Sequence, residues 1–451
     1  MTQNQDKTLN PTAAIDAAPD QGQWMHELLR RLFPICRSLT GPGNRETLAI
    51  LKEHIDGLNV VEVPTGTEVF SWTVPNEWIP KSAEITGPDG QVHARFADNN
   101  LHLVNGAQSI DVELDRDELL ERIYSLPQSP DLIPYVTSYY HPHWGFCMRD
   151  DEKQALPPGK YRARIDVESH PGHLVYGEAV LPGASEQEIL IDTYICHPSM
   201  ANDNLSSVVV ATALYGLLAQ LPKRRYTYRF VFVPETIGSL CWLMNNEDGA
   251  VKRIHAGLVL SCVGDGGPFT FKKSRSGSTE IDRIAACVLG DKGAAVDFFP
   301  NSGSDERQFC SPGFDLPVGM LSRTYPGKWP YYHTSGDTAE RVTPDNLGGS
   351  LEMAMRIVAA LEANAQIYRR TDPRGEPMLS KYDLYHRQNL RRNTDMDAER
   401  QSRGALMWLL NLADGRHSLL EMAEKSGSDI LMLSDWAERL TEIGLLQEGA
   451  A

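Results

Sequence analysis

Between Leu174 and Arg369 the chain alternates apolar strand-like runs with helical ones, and no other feature narrows the possible architecture as much. EILIDTYIC, YRFVFVPE, AGLVLSCVG, AVDFFP and LPVGML read as strands. NLSSVVVATALYGLLAQL, IGSLCWLMN and DNLGGSLEMAMRIVAALEAN read as helices, and the first is apolar on most faces and therefore expected to be buried. The expected fold is α/β, a doubly wound mixed sheet, mostly parallel, with helices on both faces. Trp24 to Arg37 has helical periodicity, and a second helix follows the glycine-rich turn SLTGPGN. If those helices pack on the same sheet, the stretch after them is an insertion.

That stretch, residues 61–166, has a different texture. Short β-prone runs (VVEVP, VFSWTVP, SAEITG, YRARIDVES) alternate with turn chemistry, and ITGPDGQVHARF reads as a hairpin turning on Pro88, Asp89 and Gly90. The expected division is a polar, disordered lead-in at 1–21, a discontinuous α/β unit at 22–60 and 167–370, the β-rich insertion at 61–166, and a helical unit at 381–451. Within the last, a charged linker leads to helix, glycine turn, helix, turn and helix, a pattern that resembles a winged helix-turn-helix.

Charge narrows the partners. The formal net charge is −17, which repels phosphate backbones and anionic lipid, so nucleic acid and membrane are excluded as expected partners. No run reaches the roughly 20 apolar residues of a bilayer span. From Gly404 onward eight acids face three bases, the wrong sign for a DNA reader. The tail is expected to be a protein-interaction or lid element, with self-association through it. Seven cysteines, an odd number with no C-x-x-C pair, fit free thiols in a reducing compartment, so the expected location is the cytoplasm.

Four segments carry chemistry. In TYICHPSMANDNLSS an apolar strand ends at Cys196 and His197, and Asp203 stands where the next helix begins. Sites in open α/β sheets form at the carboxyl ends of strands, and imidazole with carboxylate suits a metal such as zinc. The same segment also reads as a turn histidine followed by a helix cap. In RFVFVPETIGS, Glu235 is the first charge past an apolar strand, either a general base or ligand, or a surface acid at a helix start. GSDERQF contributes Asp305 and Glu306. PYYHTSGDT contributes Tyr332 and His333, with Asp337 placed to orient an imidazole. His26 in HELLR lacks the second histidine of a zinc-binding helix, and the H-x-H pair His141 and His143 reads as an aromatic-rich edge beside Tyr139 and Tyr140.

Taken in order along the chain, these residues resemble the M28 family of zinc aminopeptidases. With FPICRSLTGPGNRETL, VFSWTVPNEW, LIPYVTSYYHPHWGFC and YICHPSMANDNLSS, the chain from about Trp24 is similar to the aminopeptidase-like domain proteins of the DUF4910 and DUF2172 group. In that group an M28-like domain is interrupted by a β-rich domain and followed by a winged helix. The resemblance implies that His197, Asp203 and His333 bind metal, that Glu235 is the general base, and that Asp305 lies near the substrate. Two positions depart from the M28 pattern: Thr236 replaces a ligand glutamate and Ser261 a carboxylate. Three ligands remain, the set of a mononuclear catalytic zinc, so one Zn²⁺ is expected and two is the alternative. Asp265 as a substitute ligand, and Glu235 as ligand instead of base, are variants.

The implied activity is hydrolysis of an amide or peptide bond in a small peptide or aminoacyl amide. Glu306 or Asp305 would hold the substrate ammonium, with Tyr332, Tyr139 and Arg37 as further substrate contacts. Arg37, Ser38 and Arg45 form a candidate anion clamp. The alternatives are a mononuclear-zinc cyclase or acyltransferase resembling glutaminyl cyclase, a non-catalytic binding protein, and a winged-helix regulator.

Overall fold

A computed structural model describes residues 11–325, 327–384 and 396–449. Residues 1–10 of the expected lead-in and 385–395 of the expected linker lie outside the described residues.

The apolar runs pair into one eight-stranded sheet. In chain order its strands are β1 (Asn59–Pro64), β2 (His173–Leu181), β3 (Glu188–Tyr194), β4 (Thr227–Val233), β5 (Ile254–Leu260), β6 (Phe269–Lys272), β7 (Gly293–Val296) and β8 (Val318–Ser322). Their order across the sheet is β1-β2-β4-β3-β5-β8-β6-β7. The centre is parallel: β3 pairs with β4 and β5, and β5 with β8. β2 and β6 run antiparallel to their neighbours β4 and β8, so the sheet is mixed.

Every residue of β3 is buried, including its charged members Glu188 and Asp192. Alternate side chains enter two cores. Ile189 and Ile191 join Phe230, Phe232, Leu258 and Leu260 on one face. Leu190, Tyr194, Val231, Val233 and Val259 occupy the other. The first face is covered by α1 (Gly22–Leu32), α2 (Pro42–Leu51), α3 (Ser206–Ala219), α5 (Glu280–Leu289) and α6 (Pro344–Asn364). The second is covered by α4 (Ile237–Asn246). α3 lies between sheet and outer helices, and its buried residues run almost unbroken from Ser206 to Leu218. The turn before α2 shows why glycine recurs there. Gly41 has φ +103°, and a Cβ on Gly43 would lie 2.0 Å from the carbonyl oxygen of Cys36.

Three expectations are corrected. Pro11–Ala17, expected to be disordered, is a helix that buries Ala14 and Ile15 against α6, because its apolar residues share one face. VVEVP, grouped with the insertion, is the edge strand β1, with Val61 opposite Tyr176. Ile367–Arg370, grouped with the α/β unit, pairs instead with Asp414–Ser418 and Leu446–Glu448 of the tail.

Between β1 and β2 lies a separate four-stranded antiparallel sheet built on Glu77–Thr86 and Lys160–His170. Tyr161, Ala163 and Ile165 point into its own core with Ile85 and Phe146. The tail helices Met396–Leu412, Leu419–Ser426 and Ile430–Glu442 share the first core with α6. Arg283 pairs with Glu424 and Arg356 with Asp429 across that junction. All seven cysteines are free thiols. Among the described residues, no helix is long and apolar enough to cross a membrane.

Candidate metal centre

His197 leaves the carboxyl end of β3, and Asp203 ends the polar crossing into α3. His333 arrives from the loop after β8. The three offer ligand atoms that all lie within 4.8 Å of one another. His333 Nε2 is 2.9 Å and His197 Nε2 4.0 Å from Asp203 Oδ2. Asp203 is fully buried, the His197 side chain is 6% exposed, and the His333 side chain is 36% exposed. Asp203 Oδ2 and His333 Nε2 are both buried atoms and, apart from their 2.9 Å approach to each other, neither has a hydrogen-bond partner among the described residues. Unspent polar atoms in such positions are costly unless something else takes their lone pairs. Two imidazoles and a carboxylate are the donor set of zinc, so the residues fit the metal that the resemblance implies.

The protonation states suit ligands. Burial lowers the His197 imidazole to about 4 despite the pull of Asp203, so it is neutral with a free lone pair. Burial pushes Asp203 upward, but His197, His333 and the Tyr194 hydroxyl outweigh it and hold the carboxyl well below the usual range. The surroundings fix both groups. Tyr194 donates to Asp203 Oδ1 and sits 3.1 Å from the Ser261 hydroxyl. The carboxylate of Asp337 accepts from the amides of Ala201, Asn202 and Asp203 at 3.1, 2.6 and 2.9 Å. Tyr135 lies against both imidazoles, with centroids at 5.3 and 5.2 Å, and Tyr332 stacks on His333 at 3.9 Å. Ser199, Thr236, Cys262 and His333, each within or beside these segments, all have positive φ. Such backbone is held only where surrounding contacts over-determine it, and it concentrates at working sites.

Glu235 approaches from the end of β4, with Oε2 3.9 Å from His197 Nε2. Ser304 donates to its Oε1 at 2.8 Å. Its side chain keeps 26% exposure, yet burial, then Asp305 and Asp203, raise its carboxyl to about 8. Beneath it Asp305 accepts from the Thr236 amide at 2.7 Å and from the Ser239 hydroxyl at 2.8 Å. Burial raises Asp305 to about 7 against those two donors. Asp192, on the Tyr194 face of β3, is fully buried with no hydrogen-bond partner for either oxygen. Burial and the neighbouring charge of Asp305 hold it well above the carboxylate range.

Several sequence expectations change here. Asp305 and Glu306 cannot grip a substrate ammonium, because both are fully buried. Glu306 is spent on the equally buried Lys272 at 2.7 Å and on the Ser304 amide at 2.8 Å. Arg37 is 1% exposed and donates to the carbonyls of His197 and Leu32. Arg45 pairs with Glu77, so no anion clamp forms. Asp337 orients the Asp203 backbone, not an imidazole. Asp265 accepts from the Gly267 amide and Thr324 hydroxyl, each at 2.7 Å, and is outside the ligand group. Tyr332 lies at the centre, and Tyr139 stands behind Tyr135, their hydroxyls 2.9 Å apart. His26 and His143 are engaged with the Ala339 carbonyl and the Tyr124 hydroxyl. Sequence reasoning missed Tyr194, Tyr135, Ser304 and Asp192. Only Tyr194 and Asp192 carried a signal, as polar groups near the carboxyl end of a buried strand.

The family described as "Domain of unknown function (DUF4910)" is matched over residues 26–364, and a winged helix-turn-helix family over 366–448. A Clostridium acetobutylicum protein, provisionally named for polysaccharide biosynthesis and an aminopeptidase-like domain, is 40% identical over 96% of this chain and 98% of its own. A crystal structure from that organism, provisionally named a peptidase, is 40% identical over 96% and 98% of the two chains, with a TM-score of 0.87. Two solved structures at 12% identity share the fold. The zinc aminopeptidase BSAP from Bacillus subtilis has a TM-score of 0.55, covering 75% of this chain and 94% of its own. The M28 peptidase precursor from Shewanella amazonensis has a TM-score of 0.56, covering 77% and 96%.

Proposed function

This chain belongs to the DUF4910 family, with a winged helix-turn-helix appended, and from that membership and its His197–Asp203–His333 group we propose a zinc-dependent hydrolase that cleaves an amide or peptide bond in a small aminoacyl or peptide substrate. The observation that carries this reading is the convergence of buried ligand atoms of His197, Asp203 and His333 within 4.8 Å of one another, Asp203 Oδ2 and His333 Nε2 having no other hydrogen-bond partner among the described residues, with Glu235 alongside. The relative's name includes an aminopeptidase-like domain, and a zinc aminopeptidase shares the fold.

His197, Asp203 and His333 would hold the ion. Bound there, zinc supplies a Lewis acid that polarises a carbonyl and acidifies water. Glu235 is the proton carrier: it takes a proton from the attacking water and returns it to the departing nitrogen. Ser304 holds Oε1, which leaves Oε2 toward the centre. Tyr135 and Tyr332 wall the imidazoles and limit water.

One ion is the reading the residues favour. Tyr194 occupies Asp203 Oδ1, so that carboxylate offers one oxygen. Ser261 and Thr236, at the positions of two M28 carboxylates, are hydroxyl residues, and Ser261 is drawn to Tyr194. The test is elemental analysis of the purified protein and of His197→Ala, with mass analysis of products from a panel of aminoacyl amides and short peptides. One zinc per chain, lost in the variant, and products heavier by one water are expected. Unchanged metal in His197→Ala, or ammonia lost by cyclisation, overturns the proposal.

A further inference from the structure

Arg307 follows Asp305 by two residues and, among the described residues, has no carboxylate within ion-pairing distance, and unlike the buried Arg37 it reaches the surface. It is partly exposed, and its one hydrogen bond is from Nε to the Ser304 carbonyl at 3.3 Å. The hydroxyl of that same Ser304 holds Glu235. The guanidinium is therefore one residue removed from the proton carrier, and among the described residues neither terminal nitrogen has a hydrogen-bond partner. Ser304 thus touches both groups, its carbonyl taking Arg307 and its hydroxyl Glu235, while Tyr332 stacks on His333 at the same centre.

None of the described carboxylates of the centre forms an ion pair with it. Asp192, Asp203, Asp305 and Glu306 are all fully buried, and Lys272 already satisfies Glu306. An aminopeptidase needs an exposed acid for the substrate's ammonium, and among the site carboxylates only Glu235 keeps exposed surface. A divalent ion held by one carboxylate and two neutral imidazoles adds a positive charge on the same side of the balance.

We infer that Arg307 is a specificity residue that receives an anionic group, a carboxylate or a phosphate, on the substrate of the proposed hydrolase. The substrate class is thereby an acylated amino acid or peptide with an anion near the scissile amide, not a free amine. A planar guanidinium with two unspent nitrogens matches a carboxylate or phosphate in bidentate fashion. The inference rests on the hydrolase reading for its context, but binding tests it without turnover.

The experiment is calorimetric titration of the zinc-loaded full-length protein with three probes: N-acetyl-L-alanine, its neutral methylamide, and L-alanine amide with its free ammonium. Inorganic phosphate is titrated as a competitor of the first probe. N-acetyl-L-alanine should bind at least about tenfold more tightly than the other two, the size of one charge-assisted contact of roughly 1.4 kcal/mol. Arg307→Gln should erase that preference while leaving methylamide binding unchanged, and Arg307→Lys should restore part of it. Tighter binding of alanine amide, or a preference that survives in Arg307→Gln, overturns the inference. If the carboxylate preference holds but no probe or peptide is hydrolysed, the hydrolase reading falls and the anion site stands.

Discussion

Replacing Glu306 by glutamine removes one charge from a wholly buried ion pair. Lys272 and Glu306 are both 0% exposed and meet at 2.7 Å, so the variant strands an ammonium in the interior. Breaking a buried pair from one side costs about 3–5 kcal/mol. Lys272 keeps the faces of Phe298 and Phe299, 4.6 and 5.1 Å from Nζ, and its bond to the Ser302 carbonyl. Cation–π contacts of this kind return about 1–2 kcal/mol, which places the expected loss near the lower end, about 3 kcal/mol. For a unit of this size that is a fall in melting temperature of roughly 6–12 °C. Thermal unfolding of wild type, Glu306→Gln, Lys272→Met and the double variant measures it. The double variant should recover much of the loss, because no charge is left stranded. The pair also anchors the loop carrying Ser304 and Asp305, so Glu306→Gln should slow any hydrolysis through Glu235. Melting within about 2 °C of wild type, or losses that simply add in the double variant, would refute the reasoning.

Tyr194→Phe removes the donor to Asp203 Oδ1 and should weaken zinc binding about 10–100-fold, as loss of a ligand's supporting hydrogen bond does. Competition with a chromophoric chelator reads this directly, and unchanged affinity would remove Tyr194 from the centre. The acid cluster sets a pH dependence in the zinc-free protein. Glu235 and Asp305 are raised to about 8 and about 7, and Asp192 is also raised, so the folded state binds more protons than the unfolded one. Stability from these groups is full below their unfolded values near pH 4 and is lost as pH rises through about 7 to 8. Melting temperature should fall across that window and fall less in Asp192→Asn; equal slopes would show that Asp192 carries no proton there.

Much of the centre was readable because its signals are local. Strand and helix periods, and the rule that sites form at strand ends, put His197, Asp203 and Glu235 just past strand ends, where the structure brings them near one another. The resemblance then singled out His333 among thirteen histidines. Residue type alone misassigned Asp305, Glu306 and Arg37, since an acid or arginine near a site reads as a substrate contact whether or not it faces the cleft. What they do depends on partners far along the chain. Glu306 meets Lys272 from another strand, and Arg37 braces a carbonyl 160 residues away.

The amino-acid order by itself determined the α/β alternation, the buried α3, the insertion, the winged tail, and the identity of the groups able to hold a metal. Those properties follow from periodicity and side-chain chemistry, which survive in any arrangement of the chain. Only the tertiary structure decided which charges are neutralised and which remain open. It closed Glu306 with Lys272, turned Asp337 onto the backbone before Asp203, gave Asp203 Oδ1 to Tyr194, and left Arg307 without an ion pair among the described residues. Burial and pairing are properties of neighbours in space, and a carboxylate buried against a lysine is spelled in sequence the same way as one exposed to a substrate.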